Sequence, residues 1–163
     1  MAYHSKERIS IMNKILMLVL LFMTIASAEI INGRYTDEFG DPTGDPYIMI
    51  HGIITGTYAK MGAIMVSDDK SVSYRTNAFI GSSNKNSTVM LRDNAGNNLT
   101  LYGNRGNAGS DVTTWTFNST SSQQILAMFK SAIWVKIVVR DYQGDAVVAQ
   151  ISANGVTAAL NNL

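Results

Sequence analysis

Few residues of this chain have the types and spacing to do chemistry. Beyond position 28 there is one histidine, His51. A Ser-His-Asp set needs that imidazole held against a hydroxyl. No serine sits in a G-x-S-x-G elbow, and Gly81-Ser82-Ser83 lacks the second glycine. A lone imidazole in a chain without cysteine leaves no multi-histidine or thiolate zinc site. His51 therefore reads as a structural or surface residue on a strand. The run Asp37-Glu38-Phe39-Gly40-Asp41-Pro42-Thr43-Gly44-Asp45 offers oxygen donors from Asp37, Asp41 and Asp45. A flexible loop of that kind suits Ca²⁺. Its spacing departs from the D-x-[DN]-x-[DN]-G loop and no Glu closes it, so a solvated turn is the favoured reading. Gly103 to Gly109 has the composition of a phosphate loop, but a strand pattern follows it where a helix N-terminus would be needed. It reads as a flexible hairpin or inter-sheet loop. Among the aromatic residues Trp115, Trp134, Tyr58, Tyr74, Tyr102 and Tyr142, Trp134 is the most suggestive. It shares a strand face with Lys136 and Arg140, and Tyr142 follows closely. These four are the candidate binding residues.

The elements that must position them follow a period of two. Over 133–140 the chain reads I-W-V-K-I-V-V-R. Alternation with β-branched residues on one side marks a half-buried strand. Residues 146–152 alternate likewise, and Asp141 to Asp145 makes the turn between them. Residues 88–92 and 99–102 flank Asp93 to Asn97 in the same way. Arg92-Asp93-x-x-Gly96-Asn97 resembles Arg140-Asp141-x-x-Gly144-Asp145, which predicts two matching hairpins. Further strands are expected over 47–58, 63–66, 72–80 and 112–117. Gly52 and Gly56 predict a bulge or bend in the first of these. Thr120-Ser121-Ser122-Gln123-Gln124 offers a hydroxyl cap beginning at Thr120, and residues 121–130 carry an apolar stripe of Ile125, Met128 and Phe129, predicting one short amphipathic helix. A last turn of helix is expected over 156–160. The fold class is mainly β: an antiparallel β-sandwich or small barrel of six to eight strands.

The first 28 residues read as an address. Lys6, Arg8 and Lys14 precede an apolar run over 15–25, and Ala26-Ser27-Ala28 follows. This is the three-part pattern of a cleaved secretory signal peptide, with Met1 or Met12 as initiator. The run is short of the ~20 apolar residues that span a bilayer. Residues 29–46 then form an acidic, turn-rich lead-in, and 47–163 form one domain. Loss of Lys6, Arg8, Lys14 and Glu7 turns the formal net charge of +1 into −1. That balance excludes binding to nucleic acid through a bulk positive field. The absence of cysteine excludes a disulfide framework in an exported chain, so packing alone must hold it.

Two local resemblances follow from these residues. Ile125-Leu126-x-x-Phe129-Lys130, the strand over 133–140, Asp141-x-x-Gly144 and Ala153-Asn154-Gly155-Val156-Thr157-Ala158-Ala159-Leu160 resemble the end of the invasion-associated locus B-like proteins of bacteria. That resemblance implies a secreted β-sandwich, although the cysteines common there are missing. The opening Asp37-Glu38-Phe39-Gly40-Asp41-Pro42-Thr43-Gly44 is similar to that of small exported bacterial all-β domains of unknown function. Neither resemblance transfers a catalytic residue. The expectation is an exported, non-enzymatic binding domain of the bacterial envelope, periplasmic, cell-surface or released, with a protein or glycan partner. The alternatives are a secreted hydrolase using His51 or the Asp37/Asp41/Asp45 carboxylates, and an exported inhibitor of a secreted toxin or lysozyme.

Overall fold

The computed structural model describes residues 28–36, 42–55, 61–78, 88–107, 113–141 and 143–163. Ten strands occur among them: β1 (Glu29–Thr36), β2 (Pro42–Thr55), β3 (Gly62–Ser67), β4 (Val72–Thr76), β5 (Thr88–Asp93), β6 (Asn98–Tyr102), β7 (Asn104–Asn107), β8 (Thr113–Thr116), β9 (Trp134–Arg140) and β10 (Ala146–Ser152). Two helices accompany them, α1 (Ser119–Ser131) and α2 (Val156–Asn161). The mainly-β, antiparallel class is as the alternation predicts. Strands number ten rather than six to eight, and they hydrogen-bond along one path without closing a barrel. The path runs β6-β5-β9-β10-β2-β3-β4-β8-β7, with β1 added to β2.

Two strands were not anticipated. Residues 29–46, expected as a turn-rich lead-in, instead supply β1 and the start of β2. Gly33 and the polar residues hide β1 in the sequence, but the opposing β2 satisfies its backbone from Glu29↔His51 to Thr36↔Pro42. Likewise Asn104–Asn107, expected as a loop, pairs with β8 as β7.

The curl of the sheet is set where side chains are missing. β2 pairs with β3 as far as Gly52↔Gly62, then with β10 from Ile53 onward. A Cβ on Gly52 would stand 2.6 Å from Ile151 Cγ1 and 2.9 Å from the Gln150 carbonyl oxygen. A Cβ on Gly62 would stand 2.7 Å from that of Ala149. The paired glycines let β10 come in against the inner face of β2 and β3, so one long strand serves both halves of the sheet. Of the two glycines expected to mark a bulge or bend, Gly52 is where β2 changes partners and Gly56 lies outside the described residues. At the far end, only Gly103 separates β6 from β7, the two ends of the ladder path. Its Cβ position lies 3.1 Å from Trp115 Cβ. Bent strands thus form both corners, the usual way for sheet halves to fold onto a common core.

That core is one cluster. Ile48, Ile50, Ile64, Val66, Val72, Tyr74 and Trp115 come from one half, and Val89, Leu91, Val135, Ile137, Val139, Val147 and Ile151 from the other. Tyr74 and Trp115 are core residues rather than platform residues, with ring centroids 5.7 Å apart. Burial pushes the Tyr74 phenol above its ordinary range, so it stays neutral there. Ile125, Leu126, Met128 and Phe129 of α1 fill the remaining space.

The helix begins earlier than the hydroxyls suggest. Asn118 is the cap, and its Oδ1 accepts the Ser121 N–H at 2.8 Å. Asparagine is among the strongest capping residues and takes the position two residues ahead. The serines serve elsewhere: the Val72 N–H donates to buried Ser122 Oγ at 3.2 Å, tying β4 to the helix.

The two matching hairpins are present as β5-β6 and β9-β10, and their turns have the same construction. Asp93 accepts the Ala95 and Asn97 N–H groups at 2.9 and 2.8 Å. Asp141 accepts those of Gln143 and Asp145, both at 2.9 Å. Gly96 and Gly144 take φ of 88° and 92°, which glycine adopts without steric cost. Asp141→Ala removes two charge-assisted bonds from a buried carboxylate and is expected to cost about 2 kcal/mol, measured by urea unfolding. For Asp93, the Asn97 side-chain amide, then the Asn97, Ala95 and Gly96 backbone, hold the carboxyl below the usual range against an opposing desolvation. A depressed folded-state value means that this contribution is present above the unfolded value near ~3.9 and is lost as pH falls through the folded one. Asp93→Asn is expected to flatten the acid limb of the stability profile below about pH 4, which thermal melts across pH would check.

Candidate functional site

The outer surface of the sheet mixes polar and apolar residues, and it differs between the two halves. On the β1-β2-β3-β4-β8 half, Glu29, His51, Ala63, Arg75 and Thr114 line up across the strands. His51 Nε2, Arg75 Nε, Ser73 Oγ and Thr114 Oγ1 are inaccessible and make no hydrogen bond. Among the described residues, no hydroxyl is hydrogen-bonded to His51 Nε2. Ser73 is two strands from it, roughly 10 Å by strand spacing, and faces Met65 and Thr116 in register. Ser73 is 4% exposed with an unsatisfied hydroxyl. Ser73→Ala removes that desolvated group and is expected to raise stability by up to about 1 kcal/mol, read as a higher urea midpoint.

The acidic residues are not assembled by what the structure describes. Asp37 and Asp41 lie outside the described residues, and Asp45 is an exposed position on β2. Among the described residues, no three metal-ligating side chains converge. Two open grooves of about 720 Å³ each flank α2. One is lined by Ile30, Arg34, Tyr47 and Leu163, the other by Ile133, Ala153 and Thr157, and neither contains His51 or Asp45.

The other half of the sheet gathers the candidate binding residues. In β9 the inward positions Val135, Ile137 and Val139 are buried, while Trp134, Lys136, Val138 and Arg140 face outward. Ile133, grouped with the inward residues by its spacing, precedes the strand and is 52% exposed. The Lys136 ammonium lies 5.3 Å from the centre of the Trp134 ring, a cation–π contact. Arg140 donates to the carbonyl of Gly144 at 2.7 Å, which leans it over its own turn. Tyr142 lies outside the described residues, as does Tyr58. Tyr102, at the edge of the same half, is exposed.

Register adds a residue that spacing along the chain did not single out. Arg92 of β5 stands directly across from Lys136, whose other neighbour is Gln150. Asn98 of β6 flanks Arg92. Two like charges directly opposite each other repel. Here they part: Arg92 Nε donates to Asn98 Oδ1 at 2.8 Å on one side, and Lys136 leans along its own strand to Trp134. Every outward position of β5, β6, β9 and β10 is neutral or cationic. Asp93 and Asp141, which follow Arg92 and Arg140 in sequence, are buried, while Asp145 in the β9–β10 turn is exposed. The repeated Arg-Asp turn motif was the available sign that Arg92 belonged with β9, but only strand pairing brings it to Lys136.

Compared with known proteins, the chain matches no family model, no curated protein and no solved structure. The site therefore rests on this geometry alone.

Proposed function

We propose that this chain is an exported, non-enzymatic binding domain of the bacterial envelope that takes its ligand on the outer face of β5, β9 and β10. The observation that carries this reading is the Arg92–Lys136 pair, two facing cations with no acidic residue at the outward positions of β5, β6, β9 and β10 and an indole beside them. A surface built only for solubility would intersperse both signs. The apolar run over 15–25 and the Ala26-Ser27-Ala28 site support export. The paired part of β1 begins at Glu29, so cleavage after Ala28 leaves the ladder whole. Among the described residues, no helix is long and apolar enough to cross a membrane.

The test has two arms. Expression of the full chain in a bacterial host, followed by fractionation and N-terminal sequencing, is expected to give an envelope or medium species beginning at Glu29. The purified mature protein is expected to be retained on isolated envelope material, with retention falling at least tenfold in Arg92→Glu/Lys136→Glu. Retention unchanged by that double variant would remove the face from the binding role. An uncleaved cytoplasmic product would remove export.

A further inference from the structure

The geometry points to an acidic glycan as the ligand of this face, with a uronic-acid carboxylate seated between Arg92 and Lys136 and the sugar ring laid on Trp134. This rests on the binding-face reading above and gives the ligand its chemistry.

The two cations supply the first part of the argument. Strand pairing fixes Arg92 and Lys136 at neighbouring positions, about 5 Å apart at Cβ. Their charged ends diverge, one toward Asn98 and one toward Trp134. An anionic group between them would neutralise both, and a planar carboxylate matches the arginine fork. Trp134 supplies the second part. Its ring is half-buried, and in the free protein the Lys136 ammonium covers it at 5.3 Å. Movement of that ammonium onto a carboxylate would uncover the indole for the apolar face of a sugar ring. The Gln150 amide beside Lys136 can donate to and accept from sugar hydroxyls, while the Asn98 amide is held by Arg92 Nε and the Gly96 carbonyl.

The protein's overall charge decides against denser polyanions. The part after residue 28 is near neutral, so it has no long-range field to gather nucleic acid or an anionic bilayer. Its cations are Arg92 and Lys136 side by side, with Arg140 at the far end of β9, rather than a broad basic stripe. That arrangement fits a polymer with one carboxylate per sugar, recognised locally.

The experiment is calorimetric titration of the mature protein with a galacturonic acid hexamer. Controls are the uncharged galactose hexamer, inorganic phosphate and phosphatidylglycerol vesicles. The acidic hexamer is expected to bind, weaken with added salt and quench indole fluorescence. Trp115 is fully buried, so the quenching is expected to vanish in Trp134→Phe. Lys136→Ala and Arg92→Ala are each expected to weaken binding at least tenfold with unchanged circular dichroism, and Lys136→Arg to retain most of it. Equal binding of the uncharged hexamer, or preferential binding of phosphate or vesicles, would overturn the glycan assignment. If no hexamer binds yet envelope retention still depends on Arg92 and Lys136, the ligand class is wrong and the binding face stands. If retention is also independent of them, both readings fail.

Discussion

Trp115→Ala is expected to destabilise the protein by about 3–5 kcal/mol, the range for removing a fully buried indole. Trp115 is fully inaccessible on β8. It faces Tyr74 across the β4–β8 ladder and meets it ring to ring. It also roofs the Gly103 corner, where β6 passes into β7. The cavity would open beside the Tyr74 ring, where the two ends of the strand path approach. For a domain whose total stability is typically 5–15 kcal/mol, this is a large share. Equilibrium urea unfolding with circular dichroism would measure it. Trp115→Phe is expected to lose less than half as much. A loss below 1 kcal/mol for the alanine variant would mean that the corner is not packed as described.

Gly52→Val is expected to cost about 3 kcal/mol, at the upper end for overpacking a closed site. The reason is the approach of β10: the new Cβ would overlap Ile151 Cγ1 and press on the Gln150 carbonyl oxygen. A side chain can rotate away, but a backbone oxygen in a ladder cannot without breaking pairing. Shortening Ile151 relieves one contact and leaves the other. The double variant Gly52→Val/Ile151→Ala is therefore expected to lose less than the sum of its parts, because the two sites share one volume. Additive losses would show that the two residues do not compete for space. The same chemical unfolding experiment reads both outcomes.

Much of this architecture is legible in the residues, for reasons visible in particular elements. Strands β9 and β10 alternate strictly because one face is buried and the other wet, and a period of two records that directly. Their turn is legible because Asp141 and Gly144 each do one job that few other residues do as well. β1 and β7 were missed because their partners, not their own side chains, make them strands. The sequence EIINGRYT has low apolar contrast, and NRGN has none. The helix cap was displaced by two residues because several capping side chains stand in a row and only the geometry chooses Asn118.

The site divides in the same way. Local alternation put Trp134, Lys136 and Arg140 on one face, since that depends only on spacing within a strand. The sequence by itself determined a mainly-β chain held without disulfides, a signal-like first segment and a thin acid–base inventory. Tertiary structure alone decided that Arg92 faces Lys136, that His51 Nε2 is buried without a hydrogen bond, and that Gly52 and Gly62 meet at a corner. Those facts depend on which strands pair and in what register. Pairing is a long-range outcome of burying one shared core, and no window along the chain contains it.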